Sequence, residues 1–373
     1  MTILLVNAYS MVNAYDLWKK GLSGSHHVWG KVELEKNDNI KVILFEQVKY
    51  KFLNSIGKLF RIKNLDQQIR VLFYTQSFDI LYAPYSTANT RFLLLLKAIG
   101  LFKKPIVAAV HQPFLGTNSN NKWERKLAKF LLLQFDKTIF LSENLLLETV
   151  NRLEIPDQVA DEKFTTAQWG PDTQFYNKLD LNIHLEACEY AISAGHTDRD
   201  YETLINAFKD IDFKLKIFCT PRSTPKNVKI PPNVEIHTTF IPYIELLQHY
   251  LKARMILIPM KYPRSKEGCQ GMTSIQDAVA LGKPTIITRN PSLNLDVEME
   301  GFGKTVRMES VSDWVSTVNS LIHDLDALRE MQIKSKFVLD NKFNAEGYAG
   351  KLEEVLFSVY MKNKQSMRLT SAC

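Results

Sequence analysis

Short apolar, β-rich runs alternate with longer amphipathic stretches along this chain, and the alternation is written twice. In the first half the runs fall at residues 3–6, 41–45, 79–83, 105–110 and 137–141, each ending in polar or turn residues. Helix-length segments lie between them, among them 86–99, which Ser86 or Thr87 can cap, and 123–134. In the second half the runs are 190–194, 215–219, 234–237, 255–259 and 284–288, with helical segments at 201–208, 243–251 and 273–281. Strands that alternate with helices form parallel sheets covered on both faces. The expectation is an α/β chain with two parallel-sheet domains, 1–178 and 179–344. A polar, aperiodic segment at 175–188 reads as the linker. Residues 345–361 read as an amphipathic helix that crosses back to the first domain, and a polar tail completes the 345–373 segment. Sheets of this kind bind ligands beyond the carboxyl ends of their strands, so loops just after strands carry the chemical signal.

A chain of 373 residues has room for two such domains. Its 47 Lys and Arg against 40 Asp and Glu give a formal charge of +7. That mild excess suits an anionic small molecule or an anionic membrane surface better than the dense basic face of a nucleic-acid binder. Cys188, Cys219, Cys269 and Cys373 show neither CxxC nor zinc spacing, which points to a reduced, cytoplasmic setting. The opening MTILLVNAYS reads as a strand, without the pattern of a signal peptide. The most apolar stretch, 92–110, is broken by Lys97, Lys103, Lys104 and Pro105, so no spanning helix is expected. Residues 49–70 mix Lys and Arg with Phe, Leu and Ile at helical spacing. The ordinary reading is a surface helix that buries its apolar side. The other is a segment lying on an anionic membrane.

The segment with most chemistry is GCQGMTSIQDAVALGKPTIIT, residues 268–288. A glycine-containing loop enters a helix, which ends at Gly282 in a left-handed cap. Such a loop leaves backbone N–H groups free to hold phosphate. Gly271 permits close approach, and Thr273 adds a hydroxyl. Asp277 lies one turn further on the same face and can accept ribose hydroxyls. The plain alternative is a strand–loop–helix–strand unit with Asp277 on an exposed face.

This segment resembles the nucleotide-sugar site of GT-B glycosyltransferases, in particular the retaining GT4-type group. Residues 190–208, YAISAGHTDRDYETLINAF, resemble that family's strand, Gly–Arg pair, basic residue and following helix. The resemblance sets Arg199 on the donor diphosphate, where a cation offsets the charge of the leaving group. Gly195, His196, Gly271, Met272, Thr273 and Asp277 complete the implied donor set. AQWGPDTQF, 167–175, is similar to the element that closes the first domain, with Asp172 bonding the turn backbone. His111, after the strand at 105–110, matches the first-domain histidine set against the donor sugar, and joins Arg199 as an implied catalytic residue. GLSGSHHVWG, 21–30, is similar to the glycine-rich acceptor side and nominates Ser23, Gly24, Ser25 and His26. His26 and His27, as neighbours on a helix, are expected to point to different sides.

The fold so implied is GT-B: two Rossmann-like domains facing a central cleft. The implied activity is sugar transfer from a nucleoside-diphosphate sugar to a glycan or lipid-linked acceptor in the cytoplasm or at the inner face of the membrane. It needs no metal and no cofactor beyond the donor. Two departures stand out. Cys269 occupies the place of the family's first glutamate, with Glu267 two residues away, and His196 replaces a customary arginine. A catalytically degenerate scaffold and a sugar-nucleotide epimerase of the same shape are the alternatives. The DxD triplets at Asp198/Asp200, Asp210/Asp212 and Asp324/Asp326 read as solvated faces rather than metal sites.

Overall fold

The computed structural model describes residues 1–84, 89–179, 184–261 and 268–371, so Ser86, Thr87, Glu267 and Cys373 lie outside the described residues. The chain forms two compact units, one of residues 1–21, 25–169 and 345–373, the other of 22–24 and 170–344.

The first unit carries strands β1 (Thr2–Leu5), β2 (Lys41–Leu44), β3 (Ile80–Ala83), β4 (Ile106–Val110), β5 (Lys137–Phe140) and β6 (Phe164–Thr166). They form one parallel sheet in the order β2-β1-β3-β4-β5-β6. Its helices are α1 (Met11–Lys19), α2 (Lys31–Leu34), α3 (Lys51–Leu59), α4 (Leu65–Leu72), α5 (Arg91–Ala98), α6 (Lys122–Leu132), α7 (Glu143–Leu153) and α8 (Asp157–Lys163). β3 and β4 are buried throughout, which explains their unbroken apolar runs. The step from β1 to β2 runs opposite to all later steps. Right-handed crossovers therefore set α1 and α2 on one face and α3 to α7 on the other. Contacts between successive members of α3, α4, α5, α6 and α7 make that second layer continuous.

The second unit begins with α9 (Thr173–Tyr176). Strands β7 (Tyr190–Ala194), β8 (Lys214–Phe218), β9 (Val234–His237), β10 (Met255–Ile258), β11 (Thr285–Thr288) and β12 (Gly303–Val306) form a parallel sheet in the order β12-β11-β10-β7-β8-β9. Helices α10 (Tyr201–Ala207), α11 (Tyr243–Leu251), α12 (Met272–Ala280), α13 (Val311–Leu321) and α14 (Leu325–Asn341) cover it. Strand order reverses between the neighbours β7 and β10, and this is the switch point at which open sheets bind ligands. A last helix, α15 (Ala345–Ser371), belongs to the first unit, where Tyr348 Oη lies 2.7 Å from Tyr82 Oη.

Several expectations change. β6 and β12 are edge strands, too short or too polar to read from an apolar run. The first unit ends at Trp169 rather than at 178, because Phe175 and Tyr176 join the apolar core of the second. Asp172 caps α9 through Gln174 and Phe175 N–H, the structural role expected of it. Residues 362–371 of the polar tail continue α15. α3 does not bury its apolar side: Phe52, Ile56 and Leu59 are exposed.

Candidate functional site

The loops that follow β7 and β10 in the second unit are laced together. Asp200 N–H donates to Pro259 C=O, and Lys261 N–H donates to Asp198 C=O. Within this pair of loops Arg199 folds back over Gly195. Its Nε donates to Ala194 C=O at 3.2 Å, Nη1 to Thr197 C=O and to Met260 Sδ, and Nη2 to Ser274 Oγ at 2.8 Å. These four contacts engage uncharged acceptors, so they fix the guanidinium without neutralising its charge. No carboxylate among the described residues forms an ion pair with it.

Gly195 makes this placement possible. Its φ is +136°, and a Cβ there would sit 2.6 Å from Arg199 Nε. Its N–H donates to Phe218 C=O and its C=O accepts from Tyr201, so its polar groups are committed within the protein. Gly195 thus holds space for Arg199. His196, beyond the end of β7, is exposed.

Arg199 points to the first turn of α12. Gly271, at φ +91°, starts that helix and offers no side-chain cap. Met272 N–H is committed to Cys269 C=O, which removes it from the expected set of phosphate donors. The next two amides, of Thr273 and Ser274, precede the first intrahelical bond, from Ile275 N–H to Gly271 C=O. The Thr273 side chain is exposed. A cation beside the positive end of a helix dipole is unfavourable unless an anion joins them. Arg199 and the start of α12 therefore bring two centres of positive potential together. Asn290, after β11, braces the loop by donating to Gly268 and Gln270 C=O at 2.9 and 3.1 Å. Cys269 is buried with its thiol turned to Ser292 C=O, and burial pushes its pKa up to about 12, so it supplies no anion in place of the missing glutamate.

Asp277 is not on an exposed face. It is 4% exposed, and its Oδ1 accepts from Tyr176 Oη at 2.6 Å and Tyr243 Oη at 2.5 Å. Burial raises its pKa to about 6, against the pull of the two hydroxyls. Any contact with a ribose hydroxyl falls to Oδ2. Gly282, at φ +62°, closes α12 as expected: its N–H donates to Val279 C=O, and Lys283 N–H to Ala278 C=O.

In the first unit, His111 follows β4. Burial lowers its pKa to about 4, so it offers a neutral imidazole at pH 7. The 21–30 loop follows α1, not a strand end, and enters a four-residue 3₁₀ helix, Ser25–Val28. Gly24 groups with the second unit. Ser25 donates to the Glu33 carboxylate. His26 is buried, and its C=O accepts from Trp169 Nε1 at 3.1 Å. The His26 and His27 rings lie 4.1 Å apart rather than on opposite sides, because the tight turn brings both to Trp169, His26 tilted and His27 edge-on. Tyr9, which donates to His27 C=O and accepts from Trp29 Nε1, is the exposed end of the cluster.

The residues that sequence reasoning missed are Ser274, Met260, Asn290, Tyr176 and Tyr243. Only Ser274, next to Thr273 at a helix start, carried a local signal.

No protein-family model matches the chain, and no curated protein sequence matches it. Solved structures do. HepE from Anabaena, in complex with UDP and glucose, is 15% identical, with 96% of this chain and 100% of that one covered at a TM-score of 0.61. Sucrose-phosphate synthase from Thermosynechococcus elongatus is 12% identical, covering 97% and 100% at 0.65. UDP-GlcNAc 2-epimerase from Neisseria meningitidis, bound to UDP-GlcNAc, is 14% identical, covering 96% and 100% at 0.57. The chain has the GT-B fold, two Rossmann-like domains, a fold that carries both sugar transfer and epimerisation.

Proposed function

We propose that this protein is a glycosyltransferase that moves a sugar from a nucleoside-diphosphate sugar to a glycan or lipid-linked acceptor, in the cytoplasm. The observation that carries the reading is the Arg199 guanidinium, fixed at the uncapped start of α12. In transfer, the bond from the anomeric carbon to the diphosphate oxygen breaks, and the acceptor hydroxyl oxygen bonds to that carbon as its proton passes to the departing diphosphate. The leaving diphosphate gains negative charge as the sugar becomes oxocarbenium-like. Arg199 and the Thr273 and Ser274 amides meet that charge without rearranging. Asp277 Oδ2 takes a ribose hydroxyl. His111, a neutral hydrogen-bond donor, is the catalytic residue proposed from the first unit. Retention at the anomeric carbon and independence of metal belong to the same proposal, by the resemblance in sequence.

Incubation with a panel of sugar nucleotides tests it. Release of nucleoside diphosphate that depends on an acceptor glycan, persists in chelator and disappears in Arg199→Ala supports it. Conversion of the donor to an epimer without an acceptor, or nucleotide binding with no turnover, overturns it in favour of an epimerase or a scaffold.

A further inference from the structure

The chain's charge is unevenly placed. Residues 49–134 hold 14 Lys and Arg against 3 Asp and Glu, a net +11, and the rest of the chain holds 33 against 37, a net −4. That basic segment supplies α3 to α6, which lie in one layer on one face of the first unit's sheet. Of the 14 cations only Arg70 and Lys97 pair with a carboxylate among the described residues.

The same layer is apolar on its outside. Twelve of the 24 exposed large apolar side chains among the described residues belong to it. In α3, Phe52, Ile56 and Leu59 are 62%, 44% and 79% exposed. In α6, Trp123, Leu127 and Phe130 are 78%, 42% and 47% exposed. Both sets follow the i, i+4, i+7 spacing of a stripe that a surface helix ordinarily turns to the core. Lysine precedes the stripe residues in each helix: Lys51 and Lys58 in α3, and Lys122, Lys126 and Lys129 in α6. Leu95, Ile99 and Leu101, on and just after α5 between them, are exposed too. Gly57 seats α3 on the turn before α4, since a Cβ there would sit 2.4 Å from Ile62 C=O.

We propose that the α3–α6 face docks on the surface of an anionic lipid bilayer. Aromatic and aliphatic side chains enter the acyl boundary, and lysines reach the headgroups from stems laid along the apolar stripe. The charge favours this occupant over a second copy of the chain, because the same basic segment, net +11, would face itself across such a contact and repel. No described helix is long and apolar enough to cross a membrane, so the contact is interfacial. The inference does not rest on the transferase reading.

Co-sedimentation of the full chain, without nucleotide, on two kinds of vesicle tests it: phosphatidylcholine alone, and phosphatidylcholine with phosphatidylglycerol. Binding is expected on the second kind, weakening as salt rises. Lys51→Ala with Lys58→Ala should lower it about tenfold or more, since each headgroup-facing lysine contributes on the order of 1 kcal/mol. Trp123→Ser with Leu59→Ser should lower it by a similar amount, at unchanged Tm because both side chains are exposed. Phe337→Ser, on α14 of the second unit, and Arg199→Ala should bind as the unaltered chain does. Equal binding to both vesicles, no loss in either double variant, or no vesicle binding with self-association of the chain instead, each overturns the proposal.

Discussion

The Arg199 guanidinium donates to the Ser274 hydroxyl at 2.8 Å, which fixes a cation against the positive end of α12. Removing the cation by indirect means should weaken anion binding as much as removing it directly. Gly195→Ala places a methyl where the guanidinium lies. Calorimetry with a nucleoside diphosphate should find Gly195→Ala and Arg199→Ala similarly weakened, each by about 2 kcal/mol, the scale of a hydrogen bond to a charged group. Full affinity in Gly195→Ala would show that the guanidinium's position is immaterial.

Asp277 should separate stability from binding. In Asp277→Asn an amide oxygen still accepts from Tyr176 and Tyr243, and a buried charge is gone. Its Tm at pH 7 should hold or rise. Asp277→Ala leaves two buried hydroxyls without their carboxylate acceptor, at a loss of about 1–3 kcal/mol. Both variants should bind a nucleoside diphosphate more weakly than the unaltered chain. If affinity is unchanged in Asp277→Asn, the carboxylate serves only the tyrosines.

Acid should act oppositely on the buried histidines of the first unit and on Asp277 of the second. His26, His27 and His111 in the first unit have pKa values below the ordinary 6.5, the latter two at about 4, all chiefly through burial. Between pH 6.5 and 4 the unfolded chain binds more protons there, so that unit loses stability as pH falls. Asp277 in the second unit is raised from 3.8 to about 6. There the folded state binds the extra proton, so the Asp277 contribution to stability is lost as pH rises from 4 to 6, against the smaller opposite effect of His249, whose pKa burial lowers. Hydrogen exchange at pH 5 and pH 7 reads this directly. Protection in β3 and β4 should be lower at pH 5, and Asp277→Asn should abolish the pH dependence of α12. The same direction of change in β4 and in α12 would contradict the assignment.

Much of this architecture is legible in sequence because central parallel strands are buried on both faces. β4 and β10 stand out as apolar runs for that reason. β6, with Thr165 and Thr166 only half-buried, and β12, whose Gly303 leaves no room for a Cβ beside Thr285 C=O, lie at sheet edges and send no such signal. Around α12, the positive-φ glycines at its two ends, Gly271 and Gly282, are local features that a sequence makes legible. The Asp277 cluster is not, since its tyrosines lie 101 and 34 residues away. Periodicity identified α3 as amphipathic, but it reports only that a stripe exists. Which way the stripe faces depends on what the rest of the chain leaves to cover it.

The most direct measurement of the diphosphate assignment is thermal stabilisation by UDP, GDP, ADP and CMP, made on the unaltered chain and on Arg199→Ala. A matching nucleoside diphosphate at 100 times its Kd should add about 2.7 kcal/mol to the unaltered chain, and the variant should show a much smaller gain at the same concentration. An equal gain in Arg199→Ala, or no gain from any nucleotide, would contradict an anion site built from Arg199 and the start of α12.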